Sequence, residues 1–147
     1  MPYLYTAIYI NAAPTEVWSI LTDFERYADW NPLLPSVQGD LRPGAPLRLQ
    51  VRLPWLPLLR ITTTIQQVES GISFEWAGKF LSDSVFVGLH RFVVSPNGNG
   101  QTQFEQSETY SGLFSHMVFL FLPILRYGFN QMNDSLKATA EKENTSH

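Results

Sequence analysis

The sequence predicts an α+β domain in the order strand, two short helices, curved antiparallel sheet, long C-terminal helix. Three observations carry that prediction. Residues 10–32 (INAAPTEVWSILTDFERYADWNP) hold a strand end and two helix starts in quick succession. Residues 47–110 then run as alternating apolar and polar segments separated by turn residues, the pattern of successive hairpins. From Phe114 onward the apolar spacing lengthens to that of a helix.

The first strand is expected at 3–10. Pro14 suits the first helical position, where its missing N–H costs nothing, and Glu16 then faces the positive helix end. Val17 and Leu21 form the apolar stripe of that helix, with Trp18 beside it. Asp23 is expected to cap a second turn through Phe24, Tyr27 and Ala28, and Pro32 forces Asn31 out of the helical region. Residues 47–53 alternate strictly, so Leu47, Leu49, Val51 and Leu53 share one face of a half-buried strand. Its partner is expected at 60–68. Further strands are expected at 72–80, 85–94 and 102–110, the last after the turn 96–100 (PNGNG).

Phe114, Val118, Phe121, Leu125, Phe129, Met132 and Leu136 make one stripe of a helix running to about Glu141, with a kink at 119–120 imposed by Pro123. Arg126, Asn130, Gln131, Asn133, Asp134 and Lys137 are expected off that stripe. With no linker or repeat, residues 1–142 read as one domain and 143–147 as a frayed tail.

Composition narrows the function. At 147 residues the chain can bury a core, and with ten Phe, six Tyr and four Trp it has large apolar surface to spare. A net charge of −3 without a basic run argues against nucleic acid as a partner. There is no Cys, so disulfides, thiolate nucleophiles and Cys-based metal sites are excluded. The three His have no metal-binding spacing, and no metal or other cofactor is expected. Ser111-Gly112 lacks the frame of a nucleophile elbow, and the Asn97–Gly100 run lacks the helix and Lys of a phosphate loop. The N-terminus does not read as a signal peptide, so a cytoplasmic location is expected. Residues 117–125 (MVFLFLPIL) are too few to span a bilayer, which needs about 20. A helix apolar all round at its start must be covered, which makes a homodimer as reasonable as a monomer.

Strand parity places the candidate chemistry. If the 96–100 turn pairs Val94 with Thr102, then Phe92 faces Phe104, His90 faces Gln106, Gly88 faces Glu108 and Phe86 faces Tyr110. On the other side Trp76 lies beside His90 and Gly78 beside Gly88. One sheet face is then aromatic with a single polar island of His90, Gln106 and Glu108. Aromatic walls with a few convergent polar groups typify small-molecule sites. His90 and Glu108 form a candidate acid–base pair, although buried polar groups more often simply satisfy one another. The apolar connection 53–59 (LPWLPLL) carries Trp55 and Leu56. It either folds back on the strand ends or forms a cavity mouth that touches membranes transiently.

Several motifs together resemble the START-like superfamily (SRPBCC), with its polyketide cyclase/dehydrase and lipid-transport families. They are Ile10-x-Ala12-x-Pro14-x-Glu16-Val17-Trp18, Leu21-Thr22-Asp23-Phe24-x-x-Tyr27-x-x-Trp30-Asn31-Pro32, His90-x-Phe92, Glu108-x-x-x-Gly112-Leu113 and Phe129-x-x-Met132-Asn133-x-x-Leu136-Lys137. The resemblance implies a helix-grip fold, in which the sheet wraps the C-terminal helix around a cavity for a lipid, polyketide, quinone or similar molecule. The expected lining is Trp30, Phe74, Trp76, Phe86, His90, Phe92, Phe104, Gln106, Glu108, Tyr110, Phe114, Val118, Phe121, Leu125 and Phe129, with Trp55 and Leu56 at the mouth. A non-catalytic carrier or sensor is the first expectation. A cyclase, aromatase or dehydratase using His90 and Glu108 is the second, and a chaperone-assisting module the third.

Overall fold

In a computed structural model, which describes residues 2–145, the alternating segments pair into one seven-stranded antiparallel sheet. The strands are β1 (Tyr3–Ile10), β2 (Ser36–Gln38), β3 (Pro46–Val51), β4 (Leu59–Glu69), β5 (Ser73–Phe80), β6 (Phe86–Pro96) and β7 (Thr102–Ser111). Their order across the sheet is β1-β7-β6-β5-β4-β3-β2. The helices are α1 (Pro14–Thr22), α2 (Tyr27–Trp30), which follows a 3-10 turn at Phe24–Arg26, and α3 (Leu122–Thr145), which follows a 3-10 segment at Ser115–Leu120. The sheet packs its apolar face on α3, and this is the helix-grip arrangement.

Pro14 opens α1, and Val17 and Leu21 are its buried residues, as their spacing requires. Asp23 stands at the cap position of the next turn, but its carboxylate makes no capping hydrogen bond. Fully buried Tyr27 fixes this corner instead by donating its hydroxyl to the Leu21 carbonyl. Burial first, and the nearby Asp23 charge second, push that hydroxyl well above its usual range, so it remains a donor. Asn31 then turns the chain, because its Oδ1 accepts from the N–H groups of Leu33 (3.1 Å) and Leu34 (2.9 Å). This turn delivers the short strand β2, which the residue pattern did not predict.

Two expectations are corrected. The β6–β7 hairpin pairs Pro96 with Thr102, not Val94 with Thr102. Gly98, Asn99 and Gly100 all adopt left-handed backbone (φ 77°, 52° and 73°), which closes a tighter turn and lets both strands run on to it. The offset is two residues, so every side chain keeps its face, but His90 now lies opposite Glu108 and Phe92 opposite Gln106. The second correction concerns the last helix. Pro123 lies in the first turn of α3 rather than at a kink, because a residue without an N–H fits only there. The preceding residues form the separate 3-10 segment. At the other end α3 reaches Thr145, so the expected tail at 143–147 is helical through that residue; residues 146 and 147 lie outside the described residues.

α3 also closes the free edge of β1. Arg126 Nη1 donates to the Tyr5 carbonyl and Lys137 Nζ to the Tyr9 carbonyl, each at 3.1 Å. Glu141 accepts from the Asn11 N–H at 2.8 Å and from Lys137 at 2.5 Å. Cations on the carbonyls of an edge strand remove a template for further pairing. The Lys137 hydrogen bond, then the Asn11 N–H, hold the Glu141 carboxyl below its ordinary range. A lowered carboxyl stabilises the fold above its unfolded value, and this contribution disappears as pH falls through the folded value. Lys137→Ala is expected to cost about 1 kcal/mol at neutral pH, discounted because the pair is partly exposed. Urea unfolding at pH 7 and pH 3 checks this, and the difference between the two proteins should shrink at pH 3.

Candidate functional site

The inner face of the sheet divides into a filled half and a looser half. In the filled half Phe74, Trp76, Phe92 and Phe104 are buried with α3 residues Phe129, Met132, Leu136 and Ala140. Phe74 stacks on Phe92 at 4.7 Å, and Trp76 meets Phe92 edge-on at 4.9 Å. Phe24 joins both Phe74 and Trp76. Trp30 is only linked to this cluster through Tyr27, at 5.1 Å. It lines an open cleft of about 440 Å³ with Ser19, Asp23, Arg26 and Lys142 on the other side of the short helices.

A polar chain crosses the boundary between the two halves. The His90 ring is sandwiched between Phe92 (4.2 Å) and Phe129 (4.7 Å) and is 5% exposed. Its Nε2 lies 2.9 Å from Gln106 Oε1. Gln106 donates in turn to Asn133 Oδ1 (2.6 Å) and to the Phe129 carbonyl (3.3 Å), and Asn133 donates to Thr6 Oγ1 (3.0 Å). The Phe129 carbonyl can only accept, so it fixes the orientation of the Gln106 amide and requires a proton on His90 Nε2. On the other ring edge, Nδ1 faces Glu108 Oε2 at 3.5 Å. Tyr110 donates its hydroxyl to the other Glu108 oxygen. Burial first, then the Glu108 charge and hydrogen bond, push the Tyr110 hydroxyl far up, which keeps it a donor. With Nε2 protonated, Nδ1 and Oε2 attract only if one further proton lies between them. Both His90 nitrogens therefore face partners inside the protein, Gln106 and Glu108.

Asn133 corrects another expectation. It was expected off the buried stripe of α3 and is 1% exposed. Its neighbours Met132 and Leu136 are buried, and a position adjacent to a stripe can turn inward when a polar partner, here Gln106, waits there.

The looser half lies toward the loops that follow β3, β5 and β7. Gly78 pairs with Gly88 across β5 and β6, on the same parity as Trp76 and His90. A Cβ built on Gly78 meets only Thr63 Cγ2 within 4 Å, at 3.1 Å, so α3 does not cover this part of the sheet closely. At Gly88 the nearest atoms belong to Glu108 and Tyr110. Thr63 is 2% exposed and its hydroxyl has no hydrogen-bond partner. Phe86 and Tyr110 pack at 6.0 Å beside this gap. Val118 is buried, Leu125 is partly buried, and Phe114 and Phe121 are largely exposed. On the far side Gly128 lets α3 approach the segments that follow α2 and β3, since a Cβ there would sit 2.7 Å from Leu53 and 2.8 Å from Leu33.

Strand parity, carried in the sequence only as far as β5, assigns no face to Thr63, and extending it would misplace the residue. A bulge between Ile65 and Gln67 shifts the β4–β5 register by one residue. Parity counted back from the Gly71 hairpin therefore assigns the wrong β4 residues to the inner face. Leu56 is partly buried at the base of its loop, whereas Trp55 projects outward at 90% exposure.

A sequence profile described as polyketide cyclase/dehydrase and lipid transport matches residues 1–141. The chain belongs to that family. Among curated protein sequences none matches. Solved structures show the same fold at low identity. The Zhui aromatase/cyclase from Streptomyces sp. R1128 superposes with a TM-score of 0.77 at 13% identity, covering 96% of this chain and 94% of its own. A START superfamily protein from Mycobacterium smegmatis gives 0.75 at 17% identity, covering 95% and 97%. A norcoclaurine synthase point mutant from Thalictrum flavum, in complex with a transition-state analogue, gives 0.73 at 12%, covering 97% and 96%. These likenesses establish the START-like fold of this family member and leave its ligand to the site itself. Among the described residues, no helix is long and apolar enough to cross a membrane, and no group of three or more His, Asp or Glu side chains is arranged to hold a metal.

Proposed function

We propose that this family member binds one hydrophobic small molecule between the sheet and α3, as a carrier or sensor rather than an enzyme. The observation that carries the reading is the contrast between the two halves of the inner face. The His90–Gln106–Asn133 chain is satisfied from within, whereas Gly78 leaves space beside a buried Thr63 hydroxyl that has no partner. A ligand with an apolar body and one hydroxyl or carbonyl oxygen suits that gap. Its oxygen can meet Thr63, and its body can lie along Phe86, Tyr110, Val118 and Leu125 toward the loop end. Lipids, polyketides and quinones share this character, and exchange by transient contact of the Trp55 loop with a membrane fits it.

A cyclase or dehydratase is the second reading, favoured by the 3.5 Å approach of His90 Nδ1 to Glu108 Oε2. Catalysis would need one of those groups to reach the substrate. His90 has neither a free nitrogen nor an exposed ring face, which leaves only the Glu108 side chain, 18% exposed, within reach of the gap. The two readings separate in variants. His90→Phe and Glu108→Gln are expected to keep affinity for a fluorescent fatty acid within about threefold of the parent. Loss of turnover on a polyketide-like substrate with retained product binding would establish the enzyme instead.

A further inference from the structure

Three loops meet at the end of the sheet where the gap opens: those between β3 and β4, between β5 and β6, and between β7 and α3. Their tips are apolar and exposed, with Trp55 at 90%, Leu81 at 80%, Leu113 and Leu120 at 77%, Phe80 at 65% and Phe119 at 57%. Isolated exposed apolar residues are ordinary, but a cluster drawn from three separate loops marks an interaction site. Trp55 and Leu81 also adopt left-handed backbone, φ 64° and 67°, a conformation that bulky residues avoid. In both loops the strained residue is the one that projects an apolar side chain outward.

Two of the three loops, β5–β6 and β7–α3, are tied together. Leu113 N–H donates to the Ser84 carbonyl at 2.9 Å and Phe114 N–H to the Val85 carbonyl at 3.0 Å. Gly112 permits this approach at φ 103°, since a Cβ there would lie 2.6 Å from the Val85 oxygen.

Charge indicates what covers this end. Segments 51–60, 79–86 and 111–126 contain four of the chain's ten Lys and Arg residues (Arg52, Arg60, Lys79 and Arg126) and one of its thirteen Asp and Glu residues, Asp83. The rest of the chain is strongly acidic. Lys79 is paired with Asp83 at 3.7 Å and Arg126 donates to the Tyr5 carbonyl, so Arg52 and Arg60 carry the uncompensated charge of this cationic collar. Around apolar tips, on an otherwise anionic protein, it matches an anionic lipid surface: the tips enter the interface and the collar meets headgroups. Tryptophan at the outermost tip suits the same boundary. A second copy of this chain would bring the same cationic collar against itself.

We infer that this three-loop end docks on anionic lipid bilayers. The purpose of docking, ligand exchange through the adjacent gap, rests on the carrier reading; the docking itself rests on the loops. The test is sedimentation of the full chain with large vesicles of phosphatidylcholine alone or with 30% phosphatidylglycerol. Binding is expected with the anionic vesicles and is expected to weaken at least tenfold in 0.5 M salt. The double variant Trp55→Ser/Leu81→Ser is expected to weaken it at least tenfold, as is Arg60→Glu/Lys79→Glu, with unchanged urea midpoints. Absence of binding at millimolar lipid, or binding by both double variants as tight as that of the parent, overturns the inference. So does a homodimer in sedimentation velocity that these same substitutions dissociate, because the end would then be a self-interface. None of these failures touches the carrier reading, which is tested by ligand binding in the absence of vesicles.

Discussion

Replacing Gln106 with Ala is expected to destabilise the fold by about 3 kcal/mol or more, the largest effect of any single side chain in the polar chain. Gln106 is wholly buried and serves three partners at once: His90 Nε2, Asn133 Oδ1 and the Phe129 carbonyl. Truncation leaves the Asn133 Oδ1 acceptor and the His90 Nε2 donor buried without their partner and opens a void under α3. Gln106→Leu keeps most of the volume and isolates the polar part. It should still cost about 2 kcal/mol, because the partners stay unpaired. Urea midpoints for the three proteins check both values. A Leu variant as stable as the parent would show that the chain contributes nothing to stability.

Filling the glycine gap is expected to have the largest effect on binding. Gly78→Leu projects a side chain into the space beside Thr63, and affinity for a fluorescent fatty acid should fall at least tenfold. The backbone at Gly78 is not left-handed, so the substitution imposes no dihedral strain; its 3.1 Å approach to Thr63 Cγ2 calls for a small shift of that methyl. Ala77→Leu is the matched control, because successive strand residues face opposite sides of the sheet. It should leave affinity unchanged. Equal loss in both variants would point to a damaged sheet and not to a blocked site.

Much of the fold was legible in the residue pattern because period and turn chemistry acted together. β1 and α1 followed from alternation and from Pro14, and the face shared by Trp76, His90, Phe92, Phe104 and Glu108 survived a two-residue error in register. The errors came where local chemistry departed from period. Three consecutive left-handed residues tightened the β6–β7 turn, and Pro123 started a helix that the apolar spacing alone would have begun at Phe114. At the candidate site, sequence brought His90 and Glu108 together. It could not show that a sandwich of Phe92 and Phe129 encloses the imidazole, since that contact joins residues distant in the chain. Nor could it show that Gly78 faces space while Gly88 lies against Glu108 and Tyr110.

The central claim, a lipophilic small molecule held between sheet and α3, is tested most directly by native mass spectrometry of freshly purified protein. The expected spectrum contains a species heavier than the chain by one small molecule, recoverable by organic extraction and absent from Gly78→Leu. A spectrum of the chain alone, together with no binding of a fluorescent fatty acid by the parent protein, would contradict it.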